Sequence, residues 1–142
     1  MQKENNLYKK AYDFALKVVN IYQYLNANKR EFVLSKQLLR CGTSIGANIA
    51  EANGAISKAE FAAKLSIAYK ECLETKYWLS LLKDTFYIDE NDFQRLFKDV
   101  DELGKILFSS IKTTRTDKMI TEKWIPITEK APPGAPFSVI SE

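Results

Sequence analysis

The stretch from Ser57 to Asp84, SKAEFAAKLSIAYKECLETKYWLSLLKD, decides the fold. Phe61, Leu65, Ala68, Cys72, Thr75, Leu79 and Leu82 recur in it at spacings of 4, 3, 4, 3, 4 and 3. Only an α-helix brings residues spaced this way onto one side, and the alternation of fours and threes is the heptad rhythm of helices that pack along their length. Ser57-Lys58-Ala59-Glu60 opens the stretch as a capping box, with a hydroxyl and a carboxylate placed to satisfy the first free amides. A helix of about 27 residues spans roughly 40 Å at a 1.5 Å rise per residue, so it needs partners of similar length.

The partners lie on either side. Leu7, Ala11, Phe14, Val18, Ile21 and Leu25 predict a first helix over about 7–26, with a second, tyrosine-rich seam beside it at Tyr8, Tyr12, Ala15, Val19 and Tyr22. Leu34, Leu38, Cys41, Ile45, Ile49 and Ala52 predict another helix, starting near Asn28 with Asn28 and Glu31 as a capping box and ending near Gly54. Gly42, Gly46, Ala50 and Gly54 repeat every four residues along it. Each internal glycine costs about 1 kcal/mol of helix propensity against alanine, so close approach of another helix is the expected return. Phe93, Leu96, Val100, Leu103, Leu107 and Ile111 predict a last helix opening near Asp89, where Asp89, Glu90 and Asp92 suit the positive end of the dipole.

Short connections make sequential helices neighbours. The expected fold is all-α, an antiparallel up-down-up-down four-helix bundle over residues 1–115. Residues 116–142 hold all four prolines, with Trp124 and Ile125, and read as a C-terminal tail, extended or disordered.

Composition narrows the chemistry. The chain of 142 residues has no histidine. That removes Ser-His-Asp and Cys-His catalysis and the Glu-x-x-His di-iron pattern of helical bundles. The two cysteines, Cys41 and Cys72, fall on core seams and read as buried free thiols. No catalytic residue, metal or cofactor is expected, and the chain reads as a non-enzyme. Neither an apolar run long enough to span a bilayer nor a secretory signal is visible, so the expected compartment is the cytoplasm, with no membrane partner.

The formal charge of +3 is unevenly spread. Residues 1–30 carry six cations (Lys3, Lys9, Lys10, Lys17, Lys29, Arg30) against Glu4 and Asp13, a balance of +4. Residues 88–114 carry four cations against six carboxylates, a balance of −2. Lys9, Lys10, Lys17, Lys29 and Arg30 are therefore the candidate contacts to an RNA or DNA backbone, multiplied into a band if subunits form a ring. Ser44, Asn48 and Glu51, with Glu71 and Glu74, border the core seams and are expected to form a structural polar network between helices. A metal or catalytic carboxylate site at Glu51, Glu71 and Glu74 is the sharper alternative.

Ser44-Ile45-Gly46-Ala47-Asn48-Ile49-Ala50-Glu51-Ala52 resembles the S-I-P-A-N-I-A-E-G signature of the 23S rRNA intervening-sequence protein family, also labelled four helix bundle protein or S23 ribosomal protein. Gln37-Leu38-Leu39-Arg40 resembles its approach to that motif, and Phe61 to Leu82 its third helix. Gly46 stands in place of the usual proline and Ala52 in place of the usual glycine. The resemblance covers about residues 7–112. It implies a bundle that assembles as a homo-oligomeric ring, a pentamer, in bacteria. It carries over no catalytic residue. Together these readings point to an RNA-associated accessory protein. The second reading is a protein-interaction scaffold that uses the tyrosine seam and the Trp124 tail.

Overall fold

The computed structural model describes residues 2–117, with side chains over residues 6–115. It contains four helices and, among the described residues, no strand: α1 (Gln2–Lys29), α2 (Leu34–Asn53), α3 (Lys58–Asp84) and α4 (Glu90–Asp117). The fold is an all-α four-helix bundle. Each helix packs on the next in sequence, and α1 also meets α4.

The expected seams are the core. Ala11, Val18, Leu25, Leu38, Ile45, Phe61, Ala68, Cys72, Leu79, Leu96, Val100 and Leu107 are each fully or almost fully buried. Deleting any large member of this set should cost roughly 2–5 kcal/mol through lost transfer energy and a residual cavity. Residues paired across helices run in opposite sequence order. Val18 faces Gly42 while Ala11 faces Gly46, and Arg40 meets Glu74 while Glu51 meets Lys64.

The Ser57 half of the α3 capping box forms as expected, Ser57 Oγ accepting from Glu60 N–H at 3.0 Å, while Glu60 Oε1 reaches one residue further back and accepts from Ile56 N–H at 3.1 Å. At α4, Asp89 Oδ1 accepts from Asp92 N–H at 2.8 Å.

The start of α2 differs from expectation. Asn28 caps nothing, because α1 continues through it to Lys29 and turns only at Arg30, which takes a left-handed φ of 54°. Glu31 then acts alone. Its carboxylate folds inward, 8% exposed, and accepts from the N–H groups of Val33, Leu34 and Ser35 at 3.1, 2.9 and 2.7 Å. One acid thus satisfies three of the four free amides of a helix start. The capping-box spacing at 28–31 was an accident of an asparagine inside α1.

The small-residue row also divides. A Cβ on Gly42 would stand 2.8 Å from Val18 Cγ2, so α1 does approach α2 closely there. At Gly46 a Cβ would meet Ala11 Cβ at 3.6 Å, an ordinary contact, and Ala50 and Gly54 are exposed. The close approach therefore occupies only one end of the row. α4 reaches Asp117, two residues past the boundary expected at 115. Thr114 continues the seam, buried with its Oγ1 donating to Ser110 O. The expected tail, with Trp124, lies outside the described residues.

Candidate nucleic-acid interface

The five cations singled out in the sequence fall into two sets. Lys10 and Lys17, seven residues apart, turn the same way, toward α4. Lys17 Nζ lies 2.6 Å from Asp99 Oδ2, and Lys10 Nζ lies 3.7 Å from Glu102 Oε2. Lys9 pairs with Asp13 at 3.2 Å along its own helix. The basic side of α1 is matched against the acidic side of α4 within one chain. Partly exposed pairs of this kind contribute at most about 1 kcal/mol each. They nevertheless neutralise the field that a phosphate would meet.

Lys29 and Arg30 belong to the second set. Both are exposed at the end of α1, and neither joins an ion pair among the described residues. The connection they open, Arg30 to Val33, sets two charged side chains, Arg30 and Glu31, before two exposed apolar ones. Phe32 is 50% and Val33 70% exposed. The Arg30 guanidinium carbon lies 5.8 Å from the centroid of the Phe32 ring, within cation–π range. Lys36, in the first turn of α2, is exposed and likewise without an ion pair among the described residues. Sequence reasoning missed Phe32 and Lys36 because neither belongs to a periodic seam. Glu31 occupies the α2 amides, so an anion arriving here would meet side chains rather than a free helix start.

The expected polar network forms in part and around a residue not foreseen. Arg40 of α2 reaches across to α3, hydrogen-bonding Glu74 Oε2 and standing 3.5 Å from Glu71 Oε1. Trp78 Nε1 donates to the same Glu74 oxygen at 3.0 Å. The Arg40 hydrogen bond, with that of Trp78 behind it, holds the Glu74 carboxyl below the usual carboxylate range. Glu51 pairs instead with Lys64 at 2.7 Å. Ser44 and Asn48 do not cross between helices: Ser44 Oγ donates to Arg40 O at 2.7 Å and Asn48 Nδ2 to Ser44 O at 2.9 Å, both within α2. The three glutamates thus go to two separate cations and do not converge. Among the described residues, no group of three or more acidic, cysteine or histidine side chains is placed to hold a metal ion.

A cleft of about 250 Å³ opens between α3 and α4, and its lining includes Tyr69, Cys72, Lys76, Asp101, Gly104 and Phe108. The Lys76 ammonium is held by Asp101 at 2.6 Å. Burial pushes the Cys72 thiol up to about 12 and the Cys41 thiol up to about 11, so neither is a thiolate at neutral pH. Among the described residues, no helix is long and apolar enough to cross a membrane. The tyrosine seam is exposed at Tyr8 and Tyr12, 39% and 53%, with Leu16 beside them at 50%.

The chain is similar to the crystal structure of a protein of unknown function from the S23 ribosomal protein family of Bacteroides thetaiotaomicron. The two are 49% identical, with a TM-score of 0.76, over 78% of this chain and 98% of that one. No functionally curated protein matches. Residues 3–109 match the 23S rRNA-intervening sequence protein family. That span takes in all of the heptad seams except Ile111, together with the Ser44–Ala52 motif and the α1–α2 connection described above. On this match and the shared four-helix architecture, the chain belongs to the 23S rRNA-intervening sequence protein family.

Proposed function

We propose that this protein is a non-enzymatic, homo-oligomeric accessory protein of the bacterial cytoplasm that associates with RNA through its phosphate backbone. The observation that carries the reading is the group of exposed cations at the α1–α2 connection, Lys29, Arg30 and Lys36, none of them in an ion pair among the described residues. Phosphate contacts made by such side chains would be sequence-independent and salt-sensitive. The opposed order of the paired residues supports an antiparallel up-down-up-down course for the helices, which sets the α1–α2 connection at one end of the bundle. In a ring of subunits, a pentamer in this reading, that end would recur once per copy and multiply a weak contact.

A mobility shift of labelled RNA at low salt tests the reading. Wild-type protein should shift it, and the charge-reversed variant Lys29→Glu/Lys36→Glu should not. Equal retention by both would refute the role of this end. Light scattering in the same buffer should give a mass several times 16.3 kDa, and a monomer would refute the assembly.

A second reading, a protein-interaction scaffold, draws on the exposed Tyr8, Tyr12 and Leu16 of α1 and on Leu73 and Tyr77 of α3, 47% and 60% exposed. An assembly that survives intact while ignoring RNA altogether would favour it.

A further inference from the structure

We infer that the α1–α2 connection is a stacking site for unpaired nucleotides, with Phe32 as the platform and Lys29, Arg30 and Lys36 as the phosphate contacts. The inference rests on the RNA reading and goes beyond it, by assigning the form of RNA and the residue that selects it.

Three observations meet here. An aromatic ring half open to solvent has the Arg30 guanidinium 5.8 Å from its centroid, with exposed Lys29 and Lys36 within four residues of it in the chain. Aromatic rings beside a cationic track are the recurring apparatus of single-strand binding, because every base has a face to stack and every nucleotide a phosphate to neutralise. Three of the four free amides at the start of α2 are already taken by the Glu31 carboxylate, so the connection meets a phosphate chiefly through these flexible side chains. Arg30 also keeps a left-handed φ of 54° at a position where glycine would be relaxed. A glycine there would forfeit both the charge and the group over the Phe32 ring.

The α3–α4 connection supplies an internal contrast. Phe86 is more exposed than Phe32, 86% against 50%, and, like Arg30, takes a left-handed φ, of 68°. Its connection carries Asp84, Asp89, Glu90 and Asp92 and no cation over residues 84–92, and the flanking Lys83 is turned to Asp84 and the Phe93 ring. That charge balance disfavours a phosphate there. A surface that bound partners by hydrophobicity alone would use Phe86 at least as much as Phe32. A surface that binds single strands should use Phe32 and ignore Phe86.

The test is fluorescence anisotropy with a labelled oligouridylate and with a blunt RNA duplex of equal phosphate number, using the full chain. Wild type should bind the single strand more tightly than the duplex. Phe32→Ala should weaken single-strand binding on the order of tenfold. Phe32→Trp should restore it and Phe86→Ala should leave it unchanged. Lys36→Ala should lower the slope of log affinity against log salt by about 0.7. Circular dichroism and light scattering on each variant keep folding and assembly in view.

Equal affinity of Phe32→Ala and wild type, or equal binding of duplex and single strand, overturns the inference while leaving backbone association with RNA intact. Loss of assembly in Phe32→Ala also overturns it, since the ring would then be a contact between copies. Failure of wild type to bind either RNA sinks the functional reading itself.

Discussion

The two glycines that face α1 should respond oppositely to the same added methyl group. Gly42→Ala and Gly46→Ala each gain about 1 kcal/mol of helix propensity. At Gly46 the new Cβ would lie 3.6 Å from Ala11 Cβ, an ordinary contact in a buried position. Burying that carbon adds up to about 0.8 kcal/mol, so Gly46→Ala should stabilise the protein by roughly 1–2 kcal/mol. At Gly42 the new Cβ would lie 2.8 and 3.0 Å from the two Val18 methyl carbons. Val18 is fully buried and β-branched, with one strongly preferred χ1 rotamer in a helix, and either other rotamer still leaves one methyl against the new Cβ. The helices must separate instead, an overpacking strain of about 1–3 kcal/mol that cancels or exceeds the propensity gain. The two variants should therefore differ by roughly 2 kcal/mol, read as the midpoint of urea unfolding at unchanged slope. Protein concentration must be matched, because assembly contributes to stability by mass action. Val18→Ala in the Gly42→Ala background should recover part of the loss, a coupling on the order of 1 kcal/mol. Gly42→Ala as stable as Gly46→Ala would refute the close approach of α1 and α2.

Further outcomes follow from the helix ends and the thiols. Glu31→Gln should cost about 2 kcal/mol by urea unfolding at neutral pH, since a charged acceptor of three amides is weakened. Burial pushes the Glu31 carboxyl up, but the amides of Leu34, Ser35 and Val33 outweigh it and hold the group below its ordinary value of 4.5. A carboxyl depressed in the folded state stabilises above its unfolded pKa and loses that stabilisation as pH falls through the folded one. The wild type should thus weaken as pH drops below about 4.5, and Glu31→Gln should weaken less steeply, with Glu74 and Asp101 supplying the remainder. Phe86→Gly should raise stability by about 1 kcal/mol, because Phe86 holds a left-handed φ of 68° while 86% exposed, and an unchanged midpoint would contradict that strain. Cys41 and Cys72 should react with a disulfide reagent at pH 8 only when the chain unfolds, since both are buried with thiols pushed up to about 11 and 12. Rapid labelling of the native protein would show that the seams open.

Much of this molecule is legible in the order of its residues. The runs Leu7 to Leu25, Leu38 to Ala52, Phe61 to Leu82 and Phe93 to Ile111 mark the four helices, and every buried aliphatic position in them falls on its seam. Burial in a helix obeys a fixed angular period, so local spacing carries it. The Ser57 cap was readable for the same reason, as it bonds within four residues; at Asp89 the acidic start of α4 was readable, and the bond to Asp92 N–H came from the structure. The candidate site was readable only in half. Lys29 and Arg30 stand out as charges, but nothing in the chain order shows that Lys10 and Lys17 are spent on Glu102 and Asp99, eighty or more positions away. Nor does it show that Glu31 rather than Asn28 starts α2, which depended on how far α1 would run. Periodicity determines which side of each helix is dry. Which charges remain free, and which glycine is pressed against its neighbour, depends on the facing helix, because ion pairing and close approach are properties of two surfaces in contact and not of either alone.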